Sequence, residues 1–302
     1  MDTKNLILAI ALSLAILLGW QTFVEQPRQA ERQAEIERQE LAAGRDPDTI
    51  GVPSVPSASG TAQTETSSGP RDREEVISET PRVEIRTPAL SGTINLVGGR
   101  FDDLTLLDYR DTIEPDSKNI TLLSPRGSEE PYFAEFGWLT GNGTVSGGGQ
   151  TRWTANQNEL TVDRPVVLTA QTDDGLVLTR TISVDDHFMF TVTDRIQNAT
   201  PADVNVSQFG RITRVNEPDT LGFFILHEGP IGILDDTLHE IDYDDLEDEP
   251  ETPQDFKSEG GWLGFTDIYW LTALIPDQDK EVNARFLFDT TRSGANLYQS
   301  DY

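Results

Sequence analysis

The chain has 302 residues, with 23 Lys and Arg against 52 Asp and Glu, a net charge of −29 and a pI near 4.2. That length allows one large or two small domains, and the negative charge repels phosphate backbones, so no nucleic acid is expected as a partner. The absence of cysteine and the three histidines exclude disulfides, thiolate metal sites and cysteine nucleophiles, and leave few groups for histidine acid–base chemistry.

Residues 5–24, NLILAIALSLAILLGWQTFV, carry no charge and are bracketed by Lys4 and Glu25. As a helix this stretch rises about 30 Å, the thickness of a bilayer's hydrocarbon core. A cleaved signal peptide would need a short apolar core and a small-residue cleavage site. Here the core runs into Gly19, Trp20, Gln21, Thr22, Phe23 and Val24, and Trp20 and Phe23 suit a membrane interface. The reading is a retained anchor. Lys4 favours an inside N-terminus, although Asp2, Arg28 and Arg32 weaken the asymmetry. Residues 1–4 are then a cytoplasmic tail, 5–24 a transmembrane helix, and the bulk of the chain is exported.

Residues 28–43 are rich in helix formers but lack an apolar stripe. In residues 44–70, 17 of 27 are Gly, Pro, Ser or Thr, a composition that buries too little apolar surface to offset ordering. Residues 25–78 are therefore read as a flexible, disordered linker reaching on the order of 30 Å.

From residue 79 to 302 the texture is β. Runs rich in Val, Ile, Thr, Leu and Phe occupy 82–87, 90–97, 101–109, 120–124 and 132–140, with Gly98-Gly99 as a turn. Residues 141–150, GNGTVSGGGQ, form a glycine-rich loop without the Lys-Ser/Thr of a phosphate cradle. Residues 165–172 and 176–184 flank Asp173-Asp174-Gly175, a hairpin signal. Phe188, Phe190, Val192 and Ile196 share one parity, which predicts one face on a core. After a turn at 198–202, residues 203–215 form another strand. No helical pattern separates these strands, so an antiparallel arrangement is expected. Residues 233–256 are strongly acidic. In 260–276, GGWLGFTDIYWLTALIP, apolar residues fall on both parities, predicting a central, doubly covered strand pair. Strand-like sequence at 282–289 and 296–302 completes the chain, which is read as the N-terminal piece of something longer, its domain truncated at the C-terminal end.

Candidate chemistry is sparse. Asp242, Asp244, Asp245, Glu247, Asp248 and Glu249 offer oxygen ligands for calcium, but EF-hand spacing fails and Pro250 interrupts. A solvated acidic loop is the expected state. Of the histidines, His187 follows two aspartates, His239 lies in the acidic run, and His227 adjoins Glu228, the one histidine–carboxylate neighbour pair of interest. Strand neighbours point to opposite faces, so His227 is expected to be structural. No Gly-x-Ser-x-Gly elbow exists. Asn119, Asn142, Asn198 and Asn205 head glycosylation-like triplets. Trp262, Tyr269 and Trp270 suit a groove or a core. No catalytic, cofactor-binding or metal-ligating residue is assigned, and no enzyme is expected.

Four stretches, in order, carry a resemblance. They are the opening MDTKNLILAIALSLAILLGWQ, LSGTINLVGG at 90–99, the block at 158–209 (NELTV, DDG, FTVTDRIQN, VSQFG), and GGWLGFTDIYWLTALIP at 260–276. Together they resemble the N-terminal part of a YidC-type membrane protein insertase of Gram-negative bacteria. The resemblance implies a mainly β fold, an antiparallel β-supersandwich of the mutarotase-like kind, in a periplasmic domain behind one transmembrane helix. It implies an inner-membrane protein that helps nascent membrane proteins insert into the lipid bilayer and fold, alone or with the Sec translocon and SecD–SecF. The family's insertion machinery lies in five later transmembrane helices with a hydrophilic groove, so no groove residue carries over. The rival readings are a membrane-tethered sugar-binding or mutarotase-like domain, and a scaffold that only binds partners.

Overall fold

The computed structural model describes residues 70–302, apart from 113, 115, 142, 174, 219–225, 249, 251, 292 and 293. The expected transmembrane helix and nearly all of the expected linker lie outside the described residues. No helix among the described residues is long and apolar enough to cross a membrane.

The first element is a helix, α1 (Arg73–Ser78), where the sequence suggests the tail of a linker. Asp72 explains its start: its carboxylate accepts from the backbone N–H of Glu74 and Glu75, satisfying donors that a helix end otherwise leaves open. Val76 is buried, Arg73 pairs with Asp103, and the Arg71 N–H donates to the Gly127 carbonyl at 3.0 Å. The chain is therefore docked from Arg71 onward, before the expected boundary at 79.

Strands follow in short succession: β1 (Arg82–Arg86), β2 (Leu90–Asn95), β3 (Arg100–Arg110), β4 (Asn119–Leu123), β5 (Tyr132–Thr140) and β6 (Val145–Ser146). Next come β7 (Thr154–Ala155), β8 (Glu159–Leu160), β9 (Val166–Gln171), β10 (Leu176–Val184), β11 (Phe190–Asn198) and β12 (Val206–Val215). The last part holds β13 (Gly229–Leu234), β14 (Thr237–Glu240), helix α2 (Tyr243–Asp248), β15 (Gln254–Glu259), β16 (Trp262–Thr266), β17 (Leu271–Leu274), β18 (Glu281–Thr290) and β19 (Asn296–Asp301).

These build three sheets. One has 11 strands in the order β15-β18-β19-β12-β5-β3-β2-β1-β8, with β4 on β3 and β6 on β5. The second is β11-β10-β9-β7 and the third β14-β13-β16-β17. The pairing is antiparallel as expected, apart from β1 with β8 and an isolated parallel bridge between Arg71 and Ser128. The β9–β10–β11 meander matches the hairpin reading: Gly175, at φ +84°, takes the left-handed conformation that the tight turn needs.

One continuous cluster of buried side chains joins the sheets. It draws on Ile94, Phe101 and Ile212 of the large sheet, Leu168 and Leu178 of the second, and Leu263 and Phe265 of the third. Edge-to-face ring pairs, Phe101–Phe190 at 5.2 Å and Tyr132–Phe265 at 6.2 Å between centroids, seat both small sheets on one face of the large one.

Three expectations need correction. The acidic run is no simple loop, because it contains α2, whose Leu246 and Tyr243 are buried. The 262–274 pair is not central, because β17 is the outer strand of its sheet. Phe188 does not belong to the strand face, because β11 starts at Phe190 and Phe188 stands exposed in the turn before it.

Candidate functional site: an apolar cleft bordered by strand edges

Between the two small sheets lies an open cleft of about 300 Å³. Its floor is the face of the large sheet, where the buried Phe101, Leu104, Leu106 and Ile212 and the half-buried Phe136 line it. One wall is Phe188, Met189, Phe190 and Val192, at and before the start of β11. The other is the six consecutive residues Tyr269, Trp270, Leu271, Thr272, Ala273 and Leu274. A strand that turns one face to a space lines it with alternate residues. All four residues of β17, Leu271 to Leu274, line it together with the turn residues Tyr269 and Trp270, so the edge of β17, with its backbone, borders the cleft. Of the eleven large apolar side chains that stand exposed among the described residues, five line this one feature: Tyr109, Phe188, Met189, Tyr269 and Leu271. Scattered exposed apolar residues are ordinary, but a contiguous set marks a binding surface.

Both walls are held by specific polar contacts. At the β11 lip, one carboxylate oxygen of Asp185 accepts the N–H groups of His187, Phe188 and Met189, each at 2.9 Å. These donors hold the Asp185 carboxyl below its usual range, the Phe188 N–H being the largest influence. They also fix Phe188 at φ +148°, a region that non-glycine residues avoid unless the surroundings impose it. On the β17 side, Asp267 accepts from Arg214 Nη1 at 2.6 Å, and the Arg214 guanidinium lies 4.6 Å over the Tyr132 ring. This ties the β16–β17 turn down to β12. Trp270 packs edge-on against Tyr109, 4.7 Å between centroids, and so joins the turn to the far end of β3.

The residues singled out from the sequence are dispersed. Tyr269 and Trp270 reach the cleft; Trp262 does not, being paired with Ile233 on the other side of its sheet's hairpin. His227 meets not a catalytic partner but the Pro230 carbonyl, 3.0 Å from Nε2, and Asp242, 3.5 Å from Nδ1. His239 packs at a tilt against Phe256, 4.4 Å between ring centroids. Glu247 of the acidic run accepts from Tyr298 and from Asn296, so it is engaged structurally. Among the described residues, the one group with metal-ligand spacing is Asp185, Asp186 and His187. It is fully solvated, and an Asp185 oxygen there already holds three backbone donors. The Asn119 amide donates to the carbonyls of Leu106, Leu107 and Tyr109, and Asn142 lies outside the described residues. The Phe188–Met189 lip was not foreseen. Its signal is the apolar Phe-Met pair that follows the polar turn Asp185-Asp186-His187.

Comparison with known proteins gives a consistent result. The sequence model of the YidC periplasmic domain family matches residues 82–302. A membrane protein insertase YidC of Methylobacterium radiotolerans is 41% identical over 318 residues, covering 99% of this chain and 51% of that protein. Insertases of the same name from Beijerinckia indica and Rhizobium meliloti are each 41% identical, covering 99% and 100% of this chain and 50% of their own lengths. The chain spans about half the length of these curated relatives.

Proposed function

This chain belongs to the YidC family of membrane protein insertases, and from that premise we propose that it supplies the membrane anchor and periplasmic domain of such an insertase. Residues 1–4 are cytoplasmic, 5–24 cross the inner membrane, and the β domain stands in the periplasm. The family match across residues 82–302 carries this reading. The uncharged, twenty-residue apolar stretch supports the anchor. Two smaller antiparallel sheets on one face of a large one support the supersandwich architecture. The clients are nascent membrane proteins, received alone or from the Sec translocon with SecD–SecF.

The chain does not insert clients unaided. Moving a polar segment past hydrocarbon leaves unsatisfied groups that cost several kcal/mol each. A single helix whose interior polar side chain is Ser13 offers no shielded polar path. The domain's contribution is to bind and position, not to carry out covalent chemistry. A sugar-binding or mutarotase-like reading is weaker. Sugars need several converging polar groups and an acid–base pair, whereas the described residues that line the cleft are mainly Leu, Phe, Trp and Met, with no carboxylate or histidine among them.

Complementation in cells depleted of their own insertase tests this. Residues 1–302 alone should fail and a full-length insertase of the family should rescue growth. Rescue by 1–302 alone refutes the proposal.

A further inference from the structure

We propose that the cleft is a strand-addition site, in which an extended apolar polypeptide segment pairs with the open edge of β17 and sets alternate side chains onto the cleft floor. The choice of a client segment as occupant rests on the insertase reading above. The site itself rests on geometry.

The edge is specified by the hairpin. The Asp267 N–H donates to the Trp270 carbonyl at 2.8 Å, closing a turn of Ile268 and Tyr269. Hydrogen-bonded and non-bonded pairs then alternate along an antiparallel ladder. In the observed register, Thr272 opposite Phe265 and Leu274 opposite Leu263 direct their N–H and C=O groups to β16. Leu271 and Ala273 direct theirs away from it. Among the described residues β17 pairs with no strand but β16, so these groups face the open side, over the cleft.

Two requirements identify the occupant. The floor asks for apolar groups, and the edge asks for backbone donors and acceptors at strand spacing. A lipid chain meets the first and not the second. An extended polypeptide meets both, with the edge giving affinity and the floor selecting side chains. The four residues of β17 pair with about 13 Å of strand. Asp185 and Asp186, both exposed, stand beside the Phe188–Met189 lip, and the chain's net charge is −29. Both favour a segment with basic flanks. A membrane protein in transit presents apolar stretches whose backbone is not yet paired.

The test uses residues 1–302 in lipid nanodiscs with a short leucine–valine peptide flanked by lysines. A second peptide has the same side chains but is N-methylated at alternate amides. The unmethylated peptide should bind and slow hydrogen exchange at Leu271 and Ala273, and the methylated one should bind about tenfold more weakly or worse, reflecting two lost backbone bonds. Ala273→Pro, which removes an outward N–H from an edge strand, should weaken binding similarly at unchanged melting temperature. If that variant does not fold, the peptide pair on the unaltered chain decides. No binding, or equal binding of both peptides, overturns the proposal. Protection of Leu271 and Ala273 that grows with protein concentration alone also overturns it, since the occupant is then a second copy. Peptide binding and cellular insertion are separate readouts, so this site and the insertase reading can fail independently.

Discussion

Arg180 and Asp194 face each other directly across β10 and β11, and the guanidinium meets the carboxylate with two hydrogen bonds of 2.8 Å. The pair is enclosed. Trp138 of the large sheet donates to Asp194 at 3.2 Å, Trp153 lies 4.9 Å from the guanidinium carbon, and Gly99, at φ +63°, approaches so closely that a Cβ there would sit 2.9 Å from Arg180 Nη1. The bridge therefore fastens the second sheet to the first.

A buried pair of this kind is costly to break and cheap to replace as a unit. Asp194→Ala strands a buried cation and should cost about 3–5 kcal/mol. Arg180→Met with Asp194→Val should cost clearly less than Asp194→Ala alone. Denaturant unfolding of the three proteins measures this. A single variant losing under about 1 kcal/mol would show that the bridge is not a fastening.

The boundary of the folded domain gives a second prediction. Deleting residues 44–70 should leave the melting temperature unchanged, since their composition offers little apolar surface to bury and Pro70 is exposed. Extending the deletion through Ser78 removes the Asp72 cap and buried Val76. That should cost about 1–2 kcal/mol, roughly 3–6 °C for a domain of this size. Equal melting temperatures for the two deletions would show that α1 is dispensable.

Glu217 gives a pH dependence. Burial, then the nearby Asp244 and Glu247, raise its carboxyl above the usual range. The folded chain therefore holds this proton more tightly than the unfolded one. Stability from this group is lost as pH climbs from the ordinary carboxylate value through the raised one, and the penalty is complete above it. Glu217→Gln should accordingly stabilise at pH 7 and do nothing near pH 4. The gain should be under about 1 kcal/mol because the site is largely solvated. Calorimetry at both pH values checks it; an equal effect at each would remove Glu217 as the titrating group.

The strands were legible where alternation and a turn signal agreed. The bounds of β5 and β10 read directly from residues 132–140 and 176–184: β10 buries alternate residues and leaves a period of two, whereas β5 is buried along most of its length and shows as an apolar run between turn signals. The two helices among the described residues escape the sequence pattern for a physical reason: six residues give too few turns for a helical period, and α1 shows itself through Asp72 rather than a stripe. The cleft was half legible. Tyr269 and Trp270 stood out as groove candidates, but apolar residues on both parities of β17 read as a strand covered on two faces. They mark instead a strand with one side in the core and its edge on a cleft. The opposite wall, Phe188 and Met189, is some eighty residues away in sequence, and local pattern carries no information about such a meeting.

The place of β19 has a consequence in time. It lies between β12 and β18, pairing Arg211 to Val215 on one side and Arg285 to Thr290 on the other, so a strand made some eighty residues after β12 takes an interior place in the largest sheet. At about 5–20 residues per second of synthesis, roughly five to twenty seconds separate the appearance of β12 from that of β19. Through that interval β12 shows a bare, hydrogen-bonding flank. A domain delivered across a membrane from its N-terminal end would spend this time with that flank unpaired, guarded by whatever receives it there, until residues 296–301 arrive and cover it.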